Sequence, residues 1–312
     1  MNINNFPFVS IIIVFHNGKD QTLRCLKSVF NLKYPNFDIT VVDDGSTDGS
    51  GEAIIKDYPN VKIIKSNEDL WCNGSFNLAI SKCLENDCEL FLLLNNDNII
   101  EKYSLNYLIE TFKSEKSQII GSMVCYYHKP ETISYAGKLI DWRKGYNILI
   151  YNNKNIKDIN KEIIDVDFLG FQGVLINKSI FEKIGLIDSN KFVHYFGDTD
   201  FYLRAKKAGF KIVVDTRSIV WDDIDTKGEI GVSDNIADFI KELYNVKSLS
   251  YVLARYNFYK RHAPQYWLIP FSKYYYGLIY NQILTMIKYR IFKIEGSNGP
   301  IYLFLKKLIK KK

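Results

Sequence analysis

Short apolar runs alternate with segments of helical periodicity between residues 9 and 113, and this alternation limits the possible folds most strongly. Residues 9–14 are rich in β-branched side chains, as expected for a strand buried on both faces. The further predicted strands are 39–42, 61–64 and 90–94, and the predicted helices are 20–30, 47–57 (capped by Ser46 or Thr47), 74–84 and 101–113. Short strands that alternate with helices predict βαβ units and a parallel sheet.

Polar residues follow each of these strands directly. The four clusters are 15–17, 43–46, 66–67 and 95–97. Because parallel strands end at one edge of a sheet, we expect these clusters to meet where open α/β folds bind ligands. The sequence lacks GxGxxG after the first strand and lacks GxxxxGK[ST], which disfavours a dinucleotide dehydrogenase and a P-loop ATPase.

Without a glycine-rich phosphate loop, a bound diphosphate needs another source of positive charge. Mg²⁺ or Mn²⁺ held by carboxylate is the natural one. Asp97 ends an apolar strand, where an unpaired carboxylate is costly, although it could merely cap the next helix. Asp43 and Asp44 could belong to an ordinary turn, and Asp48 to a helix start.

Four motifs taken together are more specific than any one of these acids. They are VSIIIVFHNG (9–18), VVDDGSTDGS (41–50), DLWCNGSFNLAI (69–80) and LLLNND (92–97). In this order they resemble the family 2 glycosyltransferases of GT-A fold, in the bacterial branch that contains rhamnosyltransferases. The resemblance covers roughly residues 8–225. It implies an α/β fold with a mostly parallel, Rossmann-like central sheet flanked by helices.

The resemblance also implies roles for individual residues on the donor side. Asp43 matches the aspartate that binds the pyrimidine ring, and Asp97 matches the last residue of a DxD-type metal motif that here reads Asn-Asn-Asp. The residues assigned to the nucleotide-sugar are Phe15, His16, Asn17, Asp43, Asp44, Asn67, Gly74, Asn77, Asn95 and Asn96. The expected cofactor is Mn²⁺ or Mg²⁺, and the expected donor is a UDP- or dTDP-sugar.

The segment 195–209 resembles the family block Glu-Asp-x-Asp-(x)3-Arg, whose aspartate deprotonates the acceptor hydroxyl. Asp198 matches this base, with Asp200 and Arg204 in support, while Gly197 replaces the glutamate. By itself the pattern also fits acids at a helix start, where the helix dipole favours them. His194 is a lesser acceptor-side candidate.

Two further positions belong to the acceptor half. Gly173 is one of two glycines in a strand predicted over 165–177, where the backbone can approach a ligand closely. Asp222 stands where many relatives carry a metal-binding histidine; either it coordinates through oxygen or the metal site is weakened. Asp223 is a neighbouring candidate.

Charge is divided unevenly along the chain. The net charge is +6, but residues 239–312 contain 14 basic and two acidic residues, which leaves 27 basic and 33 acidic residues elsewhere. We therefore predict a catalytic domain over 1–230, with a nucleotide-sugar half at about 1–125 and an acceptor half at about 126–230, and a basic, aromatic helical tail over 231–312. The tail either packs on the catalytic domain or contacts an anionic membrane. Without a nucleic-acid module, RNA or DNA binding is disfavoured.

The remaining expectations concern function and location. The leading hypothesis is an inverting, metal-dependent glycosyltransferase that acts on a glycan or lipid-linked acceptor. A nucleotidyltransferase would need a basic glycine-rich loop after the first strand, and a non-catalytic sugar-binding relative stays an alternative. Five scattered cysteines without a CxxC pair, no secretion signal and no spanning segment predict a cytoplasmic protein, peripheral at the inner face of the membrane.

Overall fold

The computed structural model describes residues 6–66, 69–86, 88–115, 118–143, 146–223, 235–295, 299–301 and 303. The chain divides into two compact units. Unit 1 comprises residues 1–140 and 147–226, and unit 2 comprises residues 141–146 and 227–312.

The first half of unit 1 follows the predicted alternation of strands and helices. Its elements are β1 (Val9–Phe15), α1 (Lys19–Phe30), β2 (Phe37–Asp43), α2 (Ser50–Asp57), β3 (Lys62–Lys65), α3 (Trp71–Leu84), β4 (Leu90–Asn95), β5 (Asn98–Ile100) and α4 (Ser104–Ser114). Strands β3, β2, β1 and β4 lie side by side and are parallel. The predicted parallel sheet is therefore confirmed.

The second half of unit 1 extends the same sheet. Its elements are β6 (Ile119–Tyr126), β7 (Lys129–Tyr135), β8 (Lys138–Asp141), β9 (Tyr146–Leu149), a 3₁₀ helix (Ile156–Asp158), β10 (Ile163–Asp165), β11 (Val174–Asn177), α5 (Lys178–Ile184), α6 (Gly197–Lys207) and β12 (Ile212–Asp222). The strand order is β10-β12-β6-β11-β4-β1-β2-β3, with β5 paired to β12 and β7 to β6. Strands β6 and β12 run in the same direction as β1 to β4, whereas β5, β7, β10 and β11 are antiparallel to their neighbours, so most strands of this sheet are parallel. Strands β8 and β9 form a separate two-stranded sheet.

Both faces of the sheet are buried. Along β1, Ile12 belongs to one hydrophobic core, while Ile11 and Ile13 belong to the core on the opposite face. Helices cover both faces, which explains why the strands read as continuous apolar runs rather than alternating ones.

The sequence prediction is wrong at the start of α2. The helix begins at Ser50, and Gly49 precedes it in the left-handed conformation with φ 77°. Asp48 Oδ1 accepts a hydrogen bond from Ser50 N at 3.1 Å, so Asp48 and not Ser46 or Thr47 satisfies a free helix N–H. The prediction over 165–177 is also too long, because β10 ends at Asp165 and the next strand covers only Val174–Asn177.

Unit 2 is helical, as predicted for the tail. It contains α7 (Ile236–Tyr244), α8 (Val252–His262) and α9 (Leu268–Glu295). The Trp142 ring stacks on Phe258 with centroids 5.9 Å apart, and the Arg255 guanidinium lies 3.5 Å from the Tyr274 ring centroid. Among the described helices, none combines the length and the apolarity needed to cross a membrane.

Candidate functional site

The carboxyl ends of the parallel strands converge at one edge of the sheet. Phe15 is in register with Asp43 across β1 and β2, and Val14 is in register with Asn95 across β1 and β4. The polar clusters that follow these strands are thus adjacent, as the sequence predicts.

The loops after β1 and β2 are tied together by the predicted nucleotide residues. Asp43 Oδ1 accepts from Ser46 N at 2.9 Å, and Asp44 Oδ1 accepts from Leu70 N at 3.0 Å. His16 Nδ1 lies 2.6 Å from Asp44 O, and Asn17 N donates to Ser46 Oγ at 2.8 Å. Each carboxylate therefore uses one oxygen to accept a backbone N–H and order a loop. This agrees with the turn role that the sequence also allowed for Asp43 and Asp44.

Two predicted donor-side residues contact other parts of the protein. The Phe15 side chain is buried in a hydrophobic core. Asn77 Nδ2 donates to Ile187 O at 2.8 Å and lies 3.4 Å from Ser189 Oγ, and its Oδ1 accepts from Ile187 N at 3.0 Å. It joins α3 to a distant loop. Asn67 lies outside the described residues.

Gly74 and Asn96 have packing roles near the predicted donor region. A Cβ on Gly74 would lie 3.1 Å from Leu70 Cβ, so glycine allows the start of α3 to pack closely. Asn96 Nδ2 donates to Thr22 Oγ1 at 3.1 Å, which joins the turn after β4 to α1.

Asp198 lies in the first turn of α6, as predicted. Its Oδ1 accepts from Thr199 N at 2.6 Å, within the N-terminal turn of the helix. Buried Asp200 accepts from Arg204 Nε at 2.8 Å, and the Arg204 guanidinium also donates to Ile184 O and Leu186 O. The bonds from Arg204 to these two carbonyls join α6 to the end of α5 and the residues that follow it.

Gly197 has a packing reason that sequence reasoning missed. A Cβ at this position would lie 2.2 Å from Asn73 Nδ2, and Asn73 is itself buried and donates to Phe192 O at 2.6 Å. The Asn73 side chain occupies the space that a side chain at position 197 would need. Gly197 stands in place of the family glutamate, and the Asn73 side chain lies where that glutamate would begin.

The charges of three carboxylates act on buried Tyr135. Burial raises the pKa of the Tyr135 hydroxyl, and the charges of Asp222, Asp198 and Asp97 raise it further. Burial, with the charges of Asp198, Asp97 and Asp44, also raises the pKa of Cys72 to about 12. The predicted base, the predicted metal ligands and one predicted nucleotide residue therefore lie in the same region of unit 1.

Asp97 and Asp222 are linked through Asn98, which the sequence prediction overlooked. Asn98 Nδ2 lies 3.2 Å from Asp97 Oδ1 and 3.4 Å from Asp222 Oδ1. Burial, with a contribution from the charge of Asp223, raises the pKa of Asp97 to about 6. A nearby cation would favour the ionised form of this carboxyl.

Gln172 approaches Asp222 from the other side. Its Nε2 donates to Asp222 Oδ2 at 2.5 Å, and its Oε1 accepts from the buried Tyr135 hydroxyl. The predicted ligand-contacting Gly173 next to it, with φ 73°, instead faces protein: a Cβ there would lie 2.5 Å from Val220 Cγ2. Sequence analysis could have identified Gln172, because it is the polar residue directly before Gly173.

Asp223 has a different environment from Asp222. It accepts from Arg24 Nη2 at 2.9 Å and lies 3.4 Å from His128 Nε2. Asp223 therefore already has a cationic partner in Arg24. The His194 ring lies 5.5 Å from the Trp71 ring and 4.5 Å from the Tyr195 ring.

The carboxylates suit a divalent cation only in combination with a substrate. The described residues contain no group of three or more His, Cys, Asp and Glu side chains placed to hold a metal. Mg²⁺-type sites, however, commonly use one or two carboxylates together with substrate phosphates. Asp97 and Asp222 fit that pattern as oxygen ligands.

A cavity of about 360 Å³ opens beside Asp222. Its other lining residues are Tyr126, Tyr127, His128, Lys129, Thr132 and Asn153. It lies at the ends of β6 and β12, on the opposite side of β4 from Asp43. The site therefore extends from the β2 end of the sheet to the β12 end.

Comparison with curated proteins gives relatives that build bacterial glycans. The chain is 26% identical over 159 residues to a chondroitin synthase of Escherichia coli, which is 49% of this chain and 21% of that protein. It is 22% identical over 211 residues to the glycosyltransferase GlyG of Streptococcus pneumoniae, or 65% of this chain and 67% of that protein. The chain thus spans only about a fifth of the chondroitin synthase.

Solved structures share the fold at low identity. GalNAc-T7 with UDP, GalNAc and Mn²⁺ superposes with a TM-score of 0.58 and 14% identity, over 70% of this chain and 44% of that chain. The mannosyltransferase PcManGT of Pyrobaculum calidifontis with GDP-Man and Mn²⁺ gives 0.54 and 12%, over 85% and 68%. These neighbours support the GT-A fold predicted from the sequence.

The family profile described as Glycosyl transferase family 2 matches residues 10–185, which is more than half of the chain. This range includes the strand ends that bring Asp43, Asp44 and Asp97 together. The chain belongs to glycosyl transferase family 2.

Proposed function

We propose that this chain is an inverting glycosyltransferase that moves a sugar from a nucleoside-diphosphate sugar to a hydroxyl group of a glycan or lipid-linked acceptor in bacterial surface-polysaccharide synthesis. The observation that carries the proposal is the contact of Asn98 with both Asp97 and Asp222, while the charge of Asp198 acts together with theirs on buried Tyr135. These acids come from the turn after β4, from α6 and from β12, and the family supplies the reaction class.

Asp198 is the proposed general base. It takes the proton of the acceptor hydroxyl as the oxygen attacks the anomeric carbon, and the nucleoside diphosphate leaves from the opposite face of the sugar. One displacement inverts the anomeric configuration. The buried Asp200–Arg204 pair holds α6, and so keeps Asp198 directed toward the acceptor.

Asp97 and Asp222 are the proposed ligands of Mn²⁺ or Mg²⁺. When bound, the cation supplies positive charge that stabilises the diphosphate leaving group. The raised pKa of Asp97 supports this role, because desolvation leaves the carboxylate in need of a compensating charge. The Mn²⁺ in the two structural neighbours agrees with it.

The nucleotide is proposed to lie at the β1–β2 end, near Asp43 and Asp44, as a UDP- or dTDP-sugar. A rhamnosyl donor is proposed on the resemblance to the rhamnosyltransferase-containing branch. The catalytic domain is proposed to extend over residues 1–230.

A panel of UDP-, dTDP- and GDP-sugars tests the function. We expect Mn²⁺-dependent release of free nucleotide from at least one donor, measured by anion-exchange chromatography of wild-type reactions with Mn²⁺ or EDTA. Thermal shifts with no hydrolysis from any donor would favour the non-catalytic binding relative. No shift and no hydrolysis with any donor would contradict the enzyme proposal.

Peripheral attachment to the inner face of the membrane is proposed for the tail over 231–312. Its α9 exposes apolar side chains among basic ones; the exposed apolar residues are Leu268, Ile269, Tyr276, Ile279, Tyr280, Ile283, Ile287, Tyr289, Phe292 and Ile294. Apolar side chains interspersed with Lys and Arg are typical of helices that bind anionic bilayers.

Vesicle sedimentation tests this attachment with the full chain. Binding to phosphatidylglycerol-containing vesicles should exceed binding to phosphatidylcholine vesicles and should fall in Ile283→Glu. The matched control is Ile55→Glu, because Ile55 is similarly exposed but lies on α2 of unit 1. Equal binding of both variants and wild type would contradict the role of α9.

A further inference from the structure

We infer that Asn98 and Gln172 are positioning residues that hold Asp97 and Asp222 as a pair of cation ligands. The inference rests on the metal-dependent function proposed above and assigns roles to two amides outside the family motifs quoted from the sequence. It is carried by the hydrogen-bond geometry around four side chains, all of which belong to unit 1.

The orientation of the Asn98 amide follows from its acceptor. Asn98 Oδ1 accepts from Asn95 N at 3.0 Å, so the Nδ2 group must point the other way. There it lies 3.2 Å from Asp97 Oδ1 and 3.4 Å from Asp222 Oδ1. An amide nitrogen has two hydrogens, which provides one donor for each carboxylate.

The orientation of the Gln172 amide is fixed in the same way. Its Oε1 accepts from the Tyr135 hydroxyl, so its Nε2 faces Asp222 Oδ2 at 2.5 Å. A carboxylate can only accept, so only the NH₂ end of Gln172 can bond Asp222, whereas the Tyr135 hydroxyl could donate or accept. Asp222 therefore determines which end of Gln172 it meets, and the Tyr135 hydroxyl donates to the other end.

These contacts form one continuous chain from Tyr135 through Gln172, Asp222 and Asn98 to Asp97. Asn98 is fully buried at 0% exposure, and Asp222 is 7% exposed, so neither can reorient without breaking buried hydrogen bonds. Two carboxylates that share one amide repel each other, and a cation between them relieves that repulsion. Outer groups that orient ligands in this manner typically change metal affinity by about 10–100-fold when removed.

Asp215, a second carboxylate on β12, provides an example of a carboxylate with a structural role. Buried Asp215 accepts from Thr111 Oγ1 at 2.7 Å and is ion-paired with Arg217 Nη2 at 2.8 Å. The cation that balances the Asp215 charge is therefore the Arg217 guanidinium. Asp222, seven positions along the same strand, accepts from two neutral amides, Asn98 and Gln172.

Mn²⁺ binding to the full chain tests the inference directly. Free Mn²⁺ is measured by electron paramagnetic resonance during titration, with and without UDP, for wild type, Asn98→Ala and Gln172→Leu. We expect the Mn²⁺ dissociation constant to rise about 10-fold or more in both variants. Asp97→Ala serves as the reference for loss of a ligand.

Thr111→Val is the matched control, because it removes a buried donor from Asp215 at the other end of β12. Asn98→Ala also removes the acceptor of Asn95 N, whereas Gln172→Leu leaves that turn intact, so Gln172→Leu decides the result if the first variant unfolds. Affinities within twofold of wild type would overturn the inference and leave the glycosyltransferase proposal standing.

Two further outcomes are decisive. Equal weakening in Thr111→Val would mean general destabilisation and would also overturn the positioning role. If wild type binds no Mn²⁺ with or without UDP, the inference fails, and so does the proposal that Asp97 and Asp222 bind a divalent cation. Donor hydrolysis in EDTA by wild type would then show whether the transferase proposal survives.

Discussion

The two units place their large apolar side chains in opposite ways. In unit 1, β1 buries Ile11, Ile12 and Ile13 completely, on alternate faces of a sheet that helices cover on both sides. In unit 2, α9 leaves Ile283 at 51% and Ile294 at 83% exposure. Unit 1 stabilises itself by burying its apolar surface, whereas unit 2 retains apolar surface that a further partner can cover.

The units differ in the same way in their ion pairs. Asp200 and Arg204 in unit 1 form a pair with a fully buried carboxylate, while Asp238 and Lys241 in unit 2 form a pair with both side chains at least half exposed. Because the Asp200 carboxylate is fully buried, water cannot take the place of Arg204 when that side chain is removed. The two pairs therefore should respond very differently to mutation.

The largest expected effect comes from breaking the buried pair. Arg204→Ala should lower the free energy of unfolding by about 3–5 kcal/mol, because it leaves Asp200 charged and buried. Lys241→Ala should cost at most about 1 kcal/mol, since water screens the exposed pair. Urea unfolding followed by circular dichroism measures both. Similar losses from the two variants would remove this distinction between the units.

A matched pair of isoleucines compares the apolar surfaces. Ile11→Ala should cost about 2–5 kcal/mol because it leaves a cavity in the core. Ile283→Ala should change stability by no more than about 0.5 kcal/mol because its side chain is already in contact with solvent. The same urea experiment applies. A large loss at Ile283 would indicate that α9 is covered by protein in solution, and would argue against a free membrane-binding face.

A matched pair of glycines gives a smaller contrast. Gly197→Ala should cost about 1–3 kcal/mol, because the new Cβ would lie 2.2 Å from Asn73 Nδ2. Gly277→Ala should instead stabilise α9 by roughly 0.5–1 kcal/mol, since no described atom lies within 4 Å of the new Cβ. Thermal unfolding of both variants checks the signs.

The Gly197 prediction has an internal control. Combining Gly197→Ala with Asn73→Ala should cost less than the sum of the two single changes, because removing the asparagine makes room for the new methyl group. Additive losses would mean that the two residues do not compete for space.

The fold was predictable because its signal is local. Buried parallel strands give continuous apolar runs, so β1 was identified within one residue, and βαβ alternation then determines the sheet type. The start of α2 was missed because the sequence DDGSTDGS offers several capping residues, and only the loop conformation selects Asp48.

Site residues could be predicted from the sequence only where they belong to a recognisable motif. The resemblance assigns roles to Asp97 and Asp198, but Asn98 meets Asp222 across 124 positions, and no local pattern indicates that contact. Asn77 likewise matches a family position, yet its amide is engaged by the Ile187 backbone. Side-chain partners set by tertiary structure cannot be derived from spacing.

The most direct test of the account compares wild type with Asp198→Asn on the donor that the sugar panel identifies. The account predicts a roughly 10²–10⁴-fold loss of sugar transfer, with nucleotide affinity by calorimetry unchanged, because the substituted carboxamide keeps the size of the side chain and cannot take the acceptor proton. Transfer by Asp198→Asn at the wild-type rate would contradict the assignment of the base, and with it the proposed catalytic site.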